Sequence, residues 1–121
     1  MSQFFGTNPV LPVPDVRAAV TYSCDRLGLT FDALTDDTPP THGSVTRDRV
    51  GIQFTHVADA PASYAGWTYI FVTDVDQRVA AYRATGVTIT SPPTSYSYGL
   101  REFEIVDLYG YRLRFGQYLT A

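Results

Sequence analysis

Glu102 and Glu104 are the only glutamates in the chain, and they stand two residues apart in an alternating segment. On a strand that spacing turns both carboxylates to one face. Arg112 and Arg114 repeat the spacing beyond a turn at Leu108 to Gly110, so a hairpin lays the two charged pairs side by side. Such a face is open to three chemistries. It can be a cross-strand ladder of fixed charges that makes a concave surface polar. It can recognise a ligand cation or a hydrogen-bonding group. It can also supply a paired general acid and base. No activated nucleophile accompanies it: Cys24 falls among apolar neighbours on a helical segment and reads as a core thiol. His42 and His56 have no second His or acid at metal or triad spacing and read as surface residues.

Composition narrows the classes further. With 121 residues, 45% hydrophobic and 17% charged, the chain has the size of one domain. Lysine is absent, all cations are Arg, and the net charge is −3, which leaves no basic surplus for nucleic acid. The single cysteine, Cys24, excludes a disulfide within the chain and a Cys-based zinc cluster. No apolar run approaches the length of a membrane span, and Met1 to Gly6 lacks the pattern of a secretory leader. The expectation is a soluble cytoplasmic protein that binds neither nucleic acid nor membrane.

The elements that must position these residues fall into two similar halves. Val10 to Val13 is a short Pro-flanked strand, Asp15 caps a helix that runs to Leu27, and Gly28 stops it. Leu29 to Leu34 and Arg49 to His56 alternate as strands around a polar loop, Thr35 to Gly43. Trp67 to Val72 begins the pattern again. Asp74 caps a second helix with Gln77 at capping-box spacing, and Gly86 ends it. Val87 to Thr90 is a strand, Ser91 to Tyr98 a Pro-containing loop, and Arg101 to Val106 with Tyr111 to Phe115 a hairpin. Val13-Pro14-Asp15-Val16 matches Val72-Thr73-Asp74-Val75, and Gly51-Ile52-Gln53-Phe54 echoes Arg112-Leu113-Arg114-Phe115. Each half is βαβββ, too small to bury sheet and helix alone, so the expected architecture is α+β with two tandem modules, about 7–57 and 66–118.

These stretches resemble the vicinal oxygen chelate superfamily, the fold of glyoxalases, bleomycin resistance proteins and extradiol dioxygenases. The resemblance rests on Pro9 to Gly28, Trp67 to Gly86 and above all Tyr98 to Phe115, which is similar to the ending of small bleomycin-resistance-like members. It implies a cupped mixed sheet lined by both halves, and it leaves activity open, because this fold hosts lyases, isomerases, oxygenases, transferases and binders. The metal-ligand positions of the family's enzymes fall on Asn8, Gln53, Thr68 and Arg114. Only Gln53 retains a ligand type, and the fixed positive charge of Arg114 repels a cation. No metal or other cofactor is therefore implied.

If Thr68 faces the cup, Trp67, Tyr69 and Phe71 face the helices, with Trp67 at the strand's mouth divided between core and pocket rim. Tyr64, Tyr96 and Tyr98 lie in loops, where they can rim a ligand site, meet a partner subunit or pack incidentally. Phe4 and Phe5 suggest an arm that packs on a second copy in a homodimer. The expected function is metal-independent binding of a small aromatic or cationic molecule, with antibiotic sequestration of the bleomycin-resistance type the concrete version. Trp67 and Tyr98 would stack, Glu102 and Glu104 attract positive groups, and Asn8, Gln53, Thr68, Arg112 and Arg114 complete the site. The alternatives are a metal-dependent lyase, isomerase or dioxygenase drawing ligands from His42, His56 or Glu104, and a module that only binds protein partners.

Overall fold

A computed structural model describes residues 3–60 and 66–120, and the chain divides into two compact units, Met1–Ala60 and Pro61–Ala121. The first unit contains β1 (Val10–Val13), α1 (Val16–Asp25), β2 (Thr30–Leu34), β3 (His42–Arg47) and β4 (Val50–His56). The second contains β5 (Trp67–Phe71), α2 (Val75–Ala84), β6 (Ile89–Ser95), β7 (Leu100–Val106) and β8 (Arg112–Tyr118). The sheets have the same strand order, β1-β4-β3-β2 and β5-β8-β7-β6. In each, the first strand runs parallel to the last and the remaining pairs are antiparallel. This is the α+β fold of two βαβββ modules that the internal repeat requires.

Local chemistry sets the helices. Asp15 and Asp74 are extended residues whose carboxylates accept from the backbone N–H of Ala18 and Gln77, at 2.9 and 3.0 Å. Each cap satisfies an otherwise orphaned donor of the first turn. After the last turns, Gly28 and Gly86 take φ of 74° and 77°, the left-handed region that only glycine enters without strain. The first helix ends at Asp25, two residues short of the expected Leu27.

Each sheet buries one face against its helix. In the first unit Val16, Ala19, Val20 and Ser23 form the inner stripe of α1, and Leu11, Val13, Val45, Ile52 and Phe54 oppose them. The Ser23 hydroxyl, buried in that stripe, donates to the Ala19 carbonyl at 2.8 Å. Gly43 leaves room for α1, since a Cβ there would lie 2.9 Å from methyls of Val16 and Val20. In the second unit Val75, Val79 and Tyr82 of α2 meet Ile70, Phe103, Ile105, Leu113 and Phe115. Phe103 stacks on Phe115 at 4.9 Å, and Tyr82 packs edge-on to Phe115 at 5.6 Å. A fully buried side chain of this kind contributes about 2 kcal/mol by removal from water.

Two segments depart from the sequence reading. Strand β3 falls where alternation assigns no strand, and its start at His42 lies inside the expected loop, because Thr35 accepts the backbone N–H groups of Thr41 and His42 and draws the loop's end into the sheet. Strand β6 continues through Pro92 and Pro93 to Ser95. It is the edge strand of its sheet, where a missing N–H costs no ladder bond, and its register with β7 slips twice along the way. No helix among the described residues is long and apolar enough to cross a membrane.

Candidate functional site

The charged pairs of the second module lie on the sheet face turned away from α2. Alternation accounts for this. Phe103 and Ile105 face the core, so Glu102 and Glu104 face the other way; Leu113 and Phe115 do the same for Arg112 and Arg114. In register, Glu104 pairs with Arg114 and Glu102 with Gly116. The parallel strand beside them sets Trp67 against Arg112, Tyr69 against Arg114 and Phe71 against Gly116.

This register corrects the expected orientation of β5. Trp67, Tyr69 and Phe71 share the face of the glutamates and arginines, whereas Thr68 pairs with Leu113 and lies with Ile70 on the helix-facing side. Alternation alone separates the two sets without saying which is inside. The choice follows from the partners: Trp and Tyr carry donors that two buried carboxylates use, and Ile70 carries none. Thr68 therefore does not join the charged face.

Both carboxylates are buried, at 4% and 6% exposure, and each accepts three side-chain hydrogen bonds. Glu102 accepts from the Tyr69 hydroxyl at 2.6 Å, the Tyr98 hydroxyl at 2.8 Å and Arg114 Nε at 3.0 Å. Glu104 accepts from the Trp67 indole N–H, from the Thr90 hydroxyl at 2.8 Å and from Arg112 at 3.1 Å, and Arg114 lies 3.7 Å away. Arg114 also donates to the Tyr96 hydroxyl at 3.4 Å. Burial pushes both carboxyls up, but the hydrogen bonds and the guanidinium charges outweigh it and hold them below the usual glutamate range. Burial, together with donation to Glu102, raises the Tyr69 and Tyr98 hydroxyls above the ordinary tyrosine value. The two acids and two arginines form a neutral set of fixed ions, with no acid raised toward the range a proton shuttle needs.

The rings whose polar tips enter this network extend beyond it. Trp67 is 53% exposed and has the Arg112 guanidinium over its ring at 4.3 Å. Tyr96 and Tyr98 stack at 5.1 Å with planes 5° apart, and Arg114 lies 5.9 Å from the Tyr96 ring. Phe71 stacks on Tyr118 at 5.4 Å and meets Tyr69 at 5.0 Å. The polar tips of Trp67, Tyr69 and Tyr98 are tethered inward, so their exposed parts are ring surface. Gly116 makes the Tyr69 tether possible: a Cβ there would overlap the Tyr69 hydroxyl oxygen and lie 2.6 Å from the ring carbon that bears it.

Asn8 and Gln53 belong to the first module. Asn8 is exposed and precedes β1 rather than lying in it; its amide nitrogen donates to the Thr7 and Gly51 carbonyls at 3.0 and 3.3 Å. Gln53 is half-buried in β4, between Val10 and Ser44 in register. His42 and His56 are half-buried at strand ends, and Cys24 is half-buried on α1, its thiol raised by burial and then by Asp25. Tyr64, the third loop tyrosine, lies outside the described residues. Sequence reasoning did not single out Thr90 or Gly116. The only advance signal for Gly116 is that it continues the two-residue period of Arg112 and Arg114.

A divalent metal does not fit this donor set. Glu102 and Glu104 have committed their oxygens to neutral and cationic donors, Arg114 stands among them, and Trp67 and Tyr69 rather than Thr68 present themselves from β5. Among the described residues, no three His, Cys, Asp or Glu side chains gather where they could hold a metal ion.

Comparison with known proteins agrees with the geometry. Residues 7–115 match the profile of the Glyoxalase/Bleomycin resistance protein/Dioxygenase superfamily. Among solved structures, the bleomycin-binding protein from bleomycin-producing Streptomyces verticillus, complexed with copper(II)-bleomycin, superposes with a TM-score of 0.74 at 25% identity over 100% of both chains. TioX from Micromonospora sp. ML1 superposes with a TM-score of 0.80 at 20% identity, over 96% of this chain and 100% of that one. TnmS3, an antibiotic binding protein from Streptomyces sp. CB03234, does so with a TM-score of 0.77 at 17% identity over 98% of each chain. Comparison with curated proteins found no sequence match.

Proposed function

The chain belongs to the glyoxalase/bleomycin resistance protein/dioxygenase superfamily, and from that premise we propose that it binds a small planar aromatic molecule, such as an antibiotic chromophore, without transforming it. The observation that carries this reading is the tethering of Trp67, Tyr69 and Tyr98 to two buried carboxylates, which commits the acids to holding rings and leaves ring surface exposed. A preorganised aromatic surface loses little side-chain entropy when a flat ligand stacks on it. The similarity to a bleomycin-binding protein at 25% identity supports a binder over an enzyme of the same fold. The expectation that the glutamates attract a cation is revised, because Arg112 and Arg114 already neutralise them.

The same reading includes a homodimer in the cytoplasm. Phe4 and Phe5 are 95% and 100% exposed ahead of β1, which supports an arm that a second copy covers, and a lone cysteine suits a reducing compartment.

The test is a thermal-shift screen of planar aromatic compounds, with and without divalent cations, followed by product analysis. A true ligand at a hundred times its Kd stabilises by about 2.7 kcal/mol, roughly 10 °C for a chain of this size, and does so equally in chelator. Metal-dependent stabilisation coupled to turnover, or no response to any planar aromatic, would overturn the proposal.

A further inference from the structure

The ion pairs of the second module are oriented, and the orientation selects among aromatic ligands. The carboxylates of Glu102 and Glu104 are buried behind their donors, whereas the Arg112 side chain is 36% exposed. Among the described residues, Arg112 makes a single hydrogen bond, from one Nη to Glu104. A guanidinium carries five N–H groups, so most of its donor edge faces no acceptor among the described residues. The Tyr96 hydroxyl is in a similar position: its oxygen accepts from Arg114, and its own proton has no protein acceptor among the described residues. Among the described charged groups of this face, the Arg112 cation is thus the most exposed, while the carboxylates lie inside and already hold donors.

We infer that the ligand of this site is a planar aromatic anion, with a carboxylate or phenolate oxygen on the free edge of Arg112 and its rings on the Trp67 and Tyr96/Tyr98 surfaces. The inference rests on the aromatic-binding reading above and narrows it to one charge class. A cationic ring system would meet Arg112 at the entrance, and reaching the carboxylates would require displacing the indole, hydroxyl and guanidinium donors that occupy them. An anion costs no such rearrangement and gains a charge-assisted hydrogen bond. The guanidinium already sits over the Trp67 ring at 4.3 Å and bonds Glu104, so little freedom is lost when its remaining N–H groups are used.

The test is isothermal titration of the full chain with anthracene-2-carboxylate and with N-methylacridinium, two three-ring planar probes of opposite charge. Quenching of Trp67, the single tryptophan of the chain, reports whether each probe reaches the site. The expected result is at least tenfold tighter binding of the carboxylate, a preference that Arg112→Lys retains and Arg112→Gln abolishes. Equal affinity, or a preference for the cation, overturns the inference while leaving the aromatic-binding reading in place. An anionic preference that survives Arg112→Gln overturns it too, because another group would then select the charge. If neither probe binds, the aromatic-binding reading fails and this inference with it.

Discussion

The two modules share an architecture residue by residue on one face and share almost nothing on the other. Facing the helices, Ile52 and Phe54 of β4 correspond to Leu113 and Phe115 of β8, and all four are buried. On the opposite faces, Gly51 and Gln53 stand where Arg112 and Arg114 stand, and Val10, Gln53 and Ser44 form a row where the second module has Tyr69, Arg114 and Glu104. The cross-strand hydrogen bond survives with its polarity reversed. In the first module the Ser44 hydroxyl donates to the carboxylate of Asp32, at a register shift of β2, at 2.6 Å. In the second the Thr90 hydroxyl, at a register shift of β6, donates to the carboxylate of Glu104. The helix-facing side carries stability and is constrained by packing; the far side is free to diverge, and among the described residues it is the second module that pairs acids with arginines and aromatic rings there.

That contrast can be broken most directly at the acids. Replacing Glu102→Ala removes the nearest counter-ion of Arg114, whose side chain is only 19% exposed, together with the acceptor of the Tyr69 and Tyr98 hydroxyls, and is expected to cost about 3 kcal/mol in urea denaturation. Gln53→Ala on the corresponding face of the first module is expected to cost about 0.5 kcal/mol. Equal losses would mean that the two faces are not energetically distinct.

Glycine substitutions sharpen the same comparison. Gly116→Ala drives the Tyr69 ring off Glu102 and is expected to cost about 2 kcal/mol, with loss of aromatic-ligand binding. Gly51→Ala brings a Cβ within 2.7 Å of the Asn8 side chain, which is exposed and can swing aside, so the loss there is expected to stay under about 1 kcal/mol. Denaturation curves and a ligand titration of both variants check the pair.

A smaller effect appears in acid. The Glu102 and Glu104 carboxyls lie below their unfolded value of about 4.3, so their stabilising contribution is complete above that pH. It is lost as pH falls through the lower folded value, because the unfolded chain binds protons first. The melting temperature should therefore drop more steeply below pH 4.3 in the native chain than in Glu102→Gln. Thr90→Ala and Ser44→Ala each remove one hydroxyl donor to a carboxylate, an effect of about 1 kcal/mol. Thr90→Ala should have the larger effect, since Glu104 is buried and Asp32 is exposed.

The helix caps, the glycine stops and the internal repeat were legible in the sequence because each depends on contacts within a few residues or on an apolar period. The placement of Glu102 and Glu104 on one face opposite Arg112 and Arg114 was legible for the same reason: hairpin geometry and a period of two suffice. The strand through Pro92 and Pro93 was not, because proline is tolerated only where a strand lies at a sheet edge, and strand order is not a local property.

What the sequence determined by itself, then, is the α+β duplication, the core stripe of each helix and the fact that acids and arginines share a surface. Tertiary structure decided the rest of the site. It turned Trp67, Tyr69 and Phe71 toward the ions and Thr68 toward the core, brought Tyr98 and Thr90 onto the carboxylates, and made room for Tyr69 at Gly116. The physical reason is that alternation sorts a strand into two sets but does not say which set faces inward. That choice is made by pairing with neighbouring strands, where a buried carboxylate must find donors and a tyrosine ring must find space.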